Sequence, residues 1–214
     1  MTLSFMIGAD ANLPHDYLPS QPEHDQSFAD RLLEIFGFKL SNFEYRDSVK
    51  LRFTGSSSTE IGAYEKAFIF ADRKIGKCCT PHDDGLLEKA LNIFPQGTLF
   101  LLYSHDGTNL FRYRLFEQGK LVRDHGGDFN DGVTVDYGQL LPEEQPAFAN
   151  SKIIDGQRIF YDTRNVRGKP VIEEYTVDAY GEKLGLDVAA RFFGERKDPR
   201  HSKLPTNLTG ECFA

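Results

Sequence analysis

Histidine and aspartate are the residues of this chain whose types could support acid–base or metal chemistry. His82, His105 and His125 each have an aspartate close by in sequence, so they could converge as metal ligands or as an imidazole–carboxylate pair. No H-E-x-x-H or paired C-x-x-C spacing occurs, and His and Asp are ordinary residues of polar turns. We therefore predict no metal site. A hydrolytic enzyme with a loop-assembled Asp/His site, with or without assistance from a metal, stays open as the alternative function.

The motifs of nucleophilic catalysis and of phosphate binding are also missing. There is no G-x-S-x-G, and Ser104, His105 and Asp106 are consecutive, so they cannot meet one another in triad geometry. Neither G-x-G-x-x-G nor G-x-x-x-x-G-K-[ST] occurs. The segment from Asp128 to Gly132 resembles a calcium loop at first sight, but it has Gly at position 5 and Val at position 6. The sequence predicts no cofactor.

Cysteine usage indicates a reducing compartment. Cys78, Cys79 and Cys212 are odd in number and two of them are adjacent, which favours free thiols. Cys78 and Cys79 precede an expected helix start, where a thiol pKa is lowered, although an unpaired cysteine is more often a small buried apolar residue. With neither a membrane span nor a secretion signal in the sequence, we expect a cytoplasmic protein that does not bind membranes.

Acidic residues are concentrated in two segments that contain no Lys or Arg. Residues 1–30 hold five carboxylates and residues 124–151 hold six. If the two segments are adjacent, they form a negative patch with aromatic side chains, a combination that suits capture of a basic protein. Such loops also keep an acidic protein soluble, which is the alternative interpretation. The predicted partner-binding residues are Tyr17, Asp124, Asp128, Asp131, Asp136, Tyr137, Glu143 and Glu144.

These observations favour a binding function over catalysis. The formal net charge of −7 disfavours nucleic acid as a partner, because neutralising phosphates requires a basic face. We therefore expect a non-catalytic cytosolic protein that captures a basic protein partner, as immunity-type inhibitors do as a class. A structural module that forms oligomers is a third hypothesis, which an exposed flat apolar patch would support.

The elements that must position these residues can be read from turns and periodicity. The spacing predicts a first helix starting at Ser27-x-x-Asp30 and ending at Gly37, and a second from Thr80-Pro81 to Phe94. Val177, Tyr180, Leu184, Val188 and Phe192 predict a third helix, or a helix pair divided at Gly185, that ends at Gly194.

Period-two runs predict the strands. They include residues 3–7, Val49–Phe53 and Phe68–Phe70, with residues 55–62 as a loop between the last two. The turn pairs Asp106-Gly107 and Gln118-Gly119 predict an antiparallel meander over 98–125, and a hairpin is expected over 157–176.

Strand pairs with few helices indicate an α+β fold. We expect a predominantly antiparallel sheet with about three helices packed on one face. The length of 214 residues favours a single domain, 1–214, with an irregular acidic loop at about 9–25 and an extended tail from about 195.

Overall fold

An antiparallel sheet of nine strands forms the centre of this computed structural model, and a second sheet of three strands packs beside it. The structure describes residues 2–14, 16–38, 43–46, 59–78, 85–105, 107–193 and 210–213. The strands are Thr2–Ala9 (β1), Phe43–Arg46 (β2), Glu60–Tyr64 (β3), Ala67–Ala71 (β4), Thr98–His105 (β5), Leu110–Glu117 (β6), Lys120–Asp128 (β7), Gly132–Tyr137 (β8), Ser151–Ile154 (β9), Gln157–Val166 (β10), Lys169–Thr176 (β11) and Gly210–Phe213 (β12). The order in the large sheet is β2-β12-β3-β4-β1-β5-β6-β7-β8, and in the small sheet β11-β10-β9. The helices are Gln26–Phe36 (α1), Ile75–Cys78 (α2), Leu86–Leu91 (α3), Gln145–Ala149 (α4) and Val177–Ala189 (α5).

The α+β class and the antiparallel sheet are confirmed, but the helices cover both faces of the sheet and not one. One apolar cluster joins α1, α2 and α3 to the side of the sheet that carries Met6, Phe68 and Leu101. The other joins α5 to the side that carries Phe5 and Phe100. The prediction of a single covered face was therefore wrong.

The central strands explain this second layer. In β4 every residue is buried, with Phe68 and Phe70 on one side and Ile69 between them on the other. A strand with apolar residues at both parities needs cover on both faces, because exposing either row would leave large side chains in water. The period-two pattern of Phe68 and Phe70 indicates only one of these two buried rows.

The predicted meander and hairpin are confirmed. Strands β5, β6 and β7 pair in sequence, and β8 extends them to the end of the sheet. The hairpin β10–β11 pairs from Ile159 with Thr176 to Val166 with Lys169, and β9 joins it to make the small sheet.

The predicted helices are present with changed ends. Helix α1 ends at Gly37, whose φ of 80° is the left-handed conformation that glycine favours, but its N-cap is Asp25 and not Ser27. Helix α3 spans Leu86–Leu91 and so ends three residues before Phe94. The start of its predicted span, with Thr80 and Pro81, lies outside the described residues. Helix α5 is continuous through Gly185, so of the two predicted alternatives the structure has the single helix and not the pair.

Some predictions concern parts of the chain that the structure leaves undescribed or only partly covers. The predicted strand Val49–Phe53, His82 and most of the tail after 195 lie outside the described residues. The end of the predicted loop 55–62 is strand β3 instead. Among the described residues, no helix combines the length and the apolar character needed to cross a membrane.

Candidate functional site

A buried polar cluster lies where β6, β7 and β8 meet the segment before α4. It consists of Tyr113, Arg123, His125, Asp136 and Glu144, and we call it the Arg123 cluster. Tyr113 pairs with His125, and His125 with Asp136, so these three side chains form one row across the sheet. Arg123 and Glu144 are both fully buried. Ionised groups in such a place require partners, because their desolvation is costly.

Each ionised side chain of the cluster has an oppositely charged partner within hydrogen-bonding distance. The Arg123 guanidinium donates to Glu144 through Nε at 2.9–3.0 Å and through Nη2 at 2.8 Å, and its Nη1 donates to Asp136 at 2.5 Å. Glu144 also accepts from the Tyr113 hydroxyl at 2.5 Å and from the Leu141 backbone N–H at 2.8 Å. Burial and then the adjacent Glu144 charge raise the pKa of Tyr113 well above its usual value, so the phenol stays protonated and acts as a donor.

His125 is held neutral inside this cluster. Its Nδ1 lies 3.2 Å from Asp136 Oδ1, and its ring contacts Phe111, Tyr113 and Phe148. Burial, and next the Arg123 charge, lower the pKa of His125 despite the neighbouring carboxylate. Partial burial alone would raise the pKa of Asp136, but Arg123 and His125 together lower it. An imidazole that is 1% exposed and enclosed by three rings is placed as a packing residue.

Asp124 belongs to a separate ion cluster on the opposite face of the sheet. Its carboxylate accepts from Arg112 Nε at 2.8 Å and from Arg112 Nη2 at 2.6 Å, and it lies 3.4 Å from Arg114 Nε. Arg114 also donates to the Cys78 carbonyl and stacks on Phe116. The negative charge of Asp124 is thus neutralised and 3% exposed, which does not fit its predicted role in partner binding.

Two further predicted residues are engaged elsewhere. Glu143 accepts from Arg191 Nε at 2.9 Å and from Nη2 at 2.7 Å, so a cation from the turn after α5 lies beside it. The Tyr17 hydroxyl accepts from the backbone N–H of Lys66, which lies in the turn between β3 and β4. The eight predicted residues therefore do not form one acidic surface, because arginines occupy the space beside Asp124, Asp136, Glu143 and Glu144.

The remaining predicted residues belong to an exposed strip that we call the β8 edge, residues 128–140. Strand β8 is the last strand of the large sheet among the described residues. Asp131 and Tyr137 are exposed, and Asp128 caps the turn by accepting from the N–H groups of Asn130 and Asp131. Four large apolar or aromatic side chains share the strip: Phe129 (70% exposed), Val133 (43%), Tyr137 (55%) and Leu140 (38%).

The arginines that pair with the predicted carboxylates were not predicted, and only some of these pairs could have been inferred from the sequence. Arg123 and His125 are two residues apart in a predicted strand, so their shared face could have been inferred. That Glu144 and Arg191 would be the partners could not be inferred, because both are distant in the chain. Val133 and Leu140 were not predicted as contact residues, because a pattern of charged and aromatic residues carries no signal for aliphatic ones.

The other chemistry considered from sequence finds little support in the described part of the chain. There, no group of three or more His, Cys, Asp or Glu side chains is arranged to hold a metal ion. His105 contacts the Thr108 hydroxyl, and Cys78 is a fully buried thiol at the end of α2, as the interpretation of a small apolar residue predicts.

Comparison with known proteins gives one match. A family model described as a family of unknown function (DUF6928) matches residues 3–158. That range contains β1 to β9 and the whole of the β8 edge, and it stops at the start of β10. No curated protein and no solved structure matches the chain.

Proposed function

The chain belongs to the DUF6928 family, and from that premise we propose that it is a non-catalytic binding protein whose β8 edge captures a basic protein segment. The observation that carries this proposal is a sheet edge that combines open backbone groups with exposed apolar side chains and carboxylates. Immunity-type inhibition of a basic toxin is one biological form that such capture would take.

The open backbone supports capture of an extended segment. An edge strand presents N–H and C=O groups that a partner strand can pair with, and natural proteins protect such edges in several ways, of which lysine and proline on the strand are two. Strand β8 reads GVTVDY and has neither residue. Only a register irregularity between Gly126 and Gly127 interrupts its pairing with β7.

The side chains of the β8 edge support a partner with alternating apolar and cationic residues. Phe129, Val133 and Tyr137 offer apolar contact area, and aromatic residues are frequent anchors of interfaces. Asp128 and Asp131 provide negative charge, and no Lys or Arg occurs between residues 124 and 151. Opposite charges accelerate encounter and fix the register of a partner.

The acidic surface is smaller than the sequence predicted, so fewer acidic residues are proposed to contact the partner. Asp124, Glu143 and Glu144 act inside the fold as ion-pair partners, so they are removed from the proposed contact set. Asp136 contributes with the half of its side chain that is exposed. The proposed contact residues are Asp128, Phe129, Asp131, Val133, Asp136, Tyr137 and Leu140.

The alternative of a hydrolytic enzyme rests on the His125–Asp136 pair. This pair has the distance expected of a base and the carboxylate that orients it. Its burial beneath Phe148 argues against a substrate reaching the ring. Turnover of ester or phosphoester substrates that His125→Gln abolishes in a folded protein would favour the enzyme instead.

A designed peptide tests the binding proposal directly. The probe is a labelled peptide of alternating Lys and Val, whose binding is measured by fluorescence anisotropy at low and high salt. We expect Asp128→Asn with Asp131→Lys to weaken binding about tenfold, because this pair of substitutions replaces attraction with repulsion. Asparagine is the replacement for Asp128 because its amide oxygen can still accept the two turn hydrogen bonds.

The control makes the same change in charge away from the β8 edge. Asp16→Lys with Glu88→Gln alters two exposed residues and should leave peptide affinity unchanged. Amide hydrogen exchange should show new protection in β8 when the peptide is bound. Equal affinity in the edge variant and the control variant would refute the proposal.

A further inference from the structure

The outer part of the β10–β11 hairpin projects from the body of the protein. All ten residues from 163 to 172 are exposed, although successive side chains of β10 and β11 point to opposite faces of the sheet along this stretch. Both faces of the hairpin are therefore in solvent there. Strand β9 pairs with residues 157–160, and the backbone of Tyr161 is hydrogen-bonded to Asn150. Beyond residue 161, the described structure shows no strand paired with either edge of the hairpin. We call residues 163–172 the arm.

The arm carries cations and apolar side chains without a carboxylate. Its sequence TRNVRGKPVI contains Arg164, Arg167 and Lys169. Arg164 lies 3.5 Å from the carboxylate of Glu173, just outside the arm, so the positive charge is concentrated at Arg167 and Lys169 at the tip. Val166 is 46% exposed, Val171 41% and Ile172 69%. Solvent-exposed branched apolar residues on a two-stranded ribbon are unfavourable unless something covers them, and such a ribbon has little stability of its own in water.

The arm and the β8 edge have complementary properties. The arm is cationic, the β8 edge is anionic, and both expose apolar side chains. In the arm it is β10 that presents an open strand edge like that of β8, because Lys169 and Pro170 disfavour pairing along β11. The two surfaces do not cover one another within a single molecule, because both are exposed there. We propose that the arm of one copy docks on the β8 edge of a second copy of this chain.

The reciprocal arrangement closes on itself. If each copy contributes one arm and one β8 edge, two equivalent contacts form around a two-fold axis, the commonest symmetry of soluble oligomers. A net charge of −7 disfavours nucleic acid or an anionic membrane as the surface that covers the arm. The inference rests on the same β8 edge as the proposed function, so self-association and partner capture compete for that surface.

Charge exchange tests this contact. Sedimentation velocity over a range of protein concentrations, at salt concentrations of about 50 and about 500 mM, should show dimers that dissociate as salt rises. Arg167→Asp with Lys169→Glu reverses the tip of the arm, and Asp was chosen because residue 167 has a φ of 51°, which aspartate tolerates. We expect this variant to weaken the dimer at least about tenfold, and the edge variant Asp128→Asn with Asp131→Lys to do the same.

The decisive sample combines the two sets of substitutions in one chain. The combined protein should recover dimerisation to within about threefold of the wild type, because attraction is restored with the signs exchanged. Lys89→Glu with Lys120→Glu makes the same charge change as the arm variant at two other exposed residues and should leave the dimer intact. A monomeric wild type would overturn the inference. A dimer whose stability is unchanged by both the arm variant and the edge variant would overturn it as well.

Further outcomes separate this inference from the proposed function. A monomeric wild type that still binds the Lys–Val peptide at the β8 edge refutes only the dimer. A charge-dependent dimer that fails to bind the peptide refutes only the proposed capture of a basic segment. Binding of duplex DNA or phosphatidylserine vesicles by monomeric protein, lost in the arm variant, would overturn the dimer and identify a different partner for the arm.

Discussion

Arg123 is a buried cation, so the cost of removing its charge from water must be offset by partners within the fold. Its side chain is 1% exposed, and its partner Glu144 is 0% exposed. A buried ion pair is often no more stable than an apolar replacement, but removing one member leaves a buried charge without compensation. Tyr113 and the Leu141 N–H supply additional donors to the Glu144 carboxylate. The pair therefore fixes the segment before α4 onto β6 and β7.

Glu144→Gln should lower the free energy of unfolding by about 3–5 kcal/mol, because it leaves the Arg123 charge buried beside a neutral amide. Glu143→Gln, one residue earlier, is the matched control. It removes a partly exposed pair with Arg191 and should cost less than about 1 kcal/mol. Urea unfolding of the two variants measures the difference, and similar losses would show that the buried pair has no special importance.

At the scale of elements, helix α5 approaches the sheet through glycine. Gly181 and Gly185 are four residues apart and face β5 and β6. A Cβ atom at Gly181 would lie 2.3 Å from the Phe111 ring, and one at Gly185 would lie 2.5 Å from Leu102. Gly185, where the sequence allowed a break between two helices, instead permits close packing of one helix on the sheet.

Gly181→Ala should therefore destabilise the protein by about 1–3 kcal/mol, although alanine is the better helix former by about 1 kcal/mol. The buried Phe111 ring cannot move aside without disturbing its neighbours. Ala179→Gly, at an exposed position of the same helix, reports the propensity effect alone and should cost about 1 kcal/mol. Stabilisation by Gly181→Ala in thermal unfolding would show that the helix has room to shift.

At the scale of the whole molecule, the arm stands apart from the two apolar clusters that hold the fold together. The base of its hairpin is anchored by Phe160, which stacks on Tyr180 at 4.7 Å and is fully buried. The arm itself buries little, so its presence calls for a reason other than stability. This separation allows the fold and the proposed self-association to be tested independently.

Replacing residues 163–172 with Asn-Gly should change the free energy of unfolding by less than about 1 kcal/mol, because the removed residues are exposed. The replacement joins Asp162 to Glu173, which already face each other, through a two-residue turn. Phe160→Ala is the contrast and should cost about 3–5 kcal/mol. Denaturant unfolding compares the two, and a large loss on shortening would assign the arm to the fold.

How much of the candidate site could be predicted from sequence depends on the kind of interaction. The absence of cations from 124 to 151 is a property of the sequence itself, and it led to the segment that contains the β8 edge. Whether an acidic side chain of this segment remains available for a partner depends on residues distant in the chain. Glu144 pairs with Arg123, 21 residues away, and Glu143 pairs with Arg191, 48 residues away. No local pattern encodes those distances.

The sequence by itself determined the local elements: the turns of the meander, the hairpin over 157–176, helix α1 with Gly37, and the apolar face of α5. These depend on backbone conformations and periodicities that act over a few residues. Only the tertiary structure decided that helices cover both faces, that arginines pair with four of the six predicted carboxylates, and that β8 and the arm stay exposed. Sheet register and the packing of distant segments set these outcomes, because a charge or an apolar side chain is satisfied by whichever group the fold brings beside it.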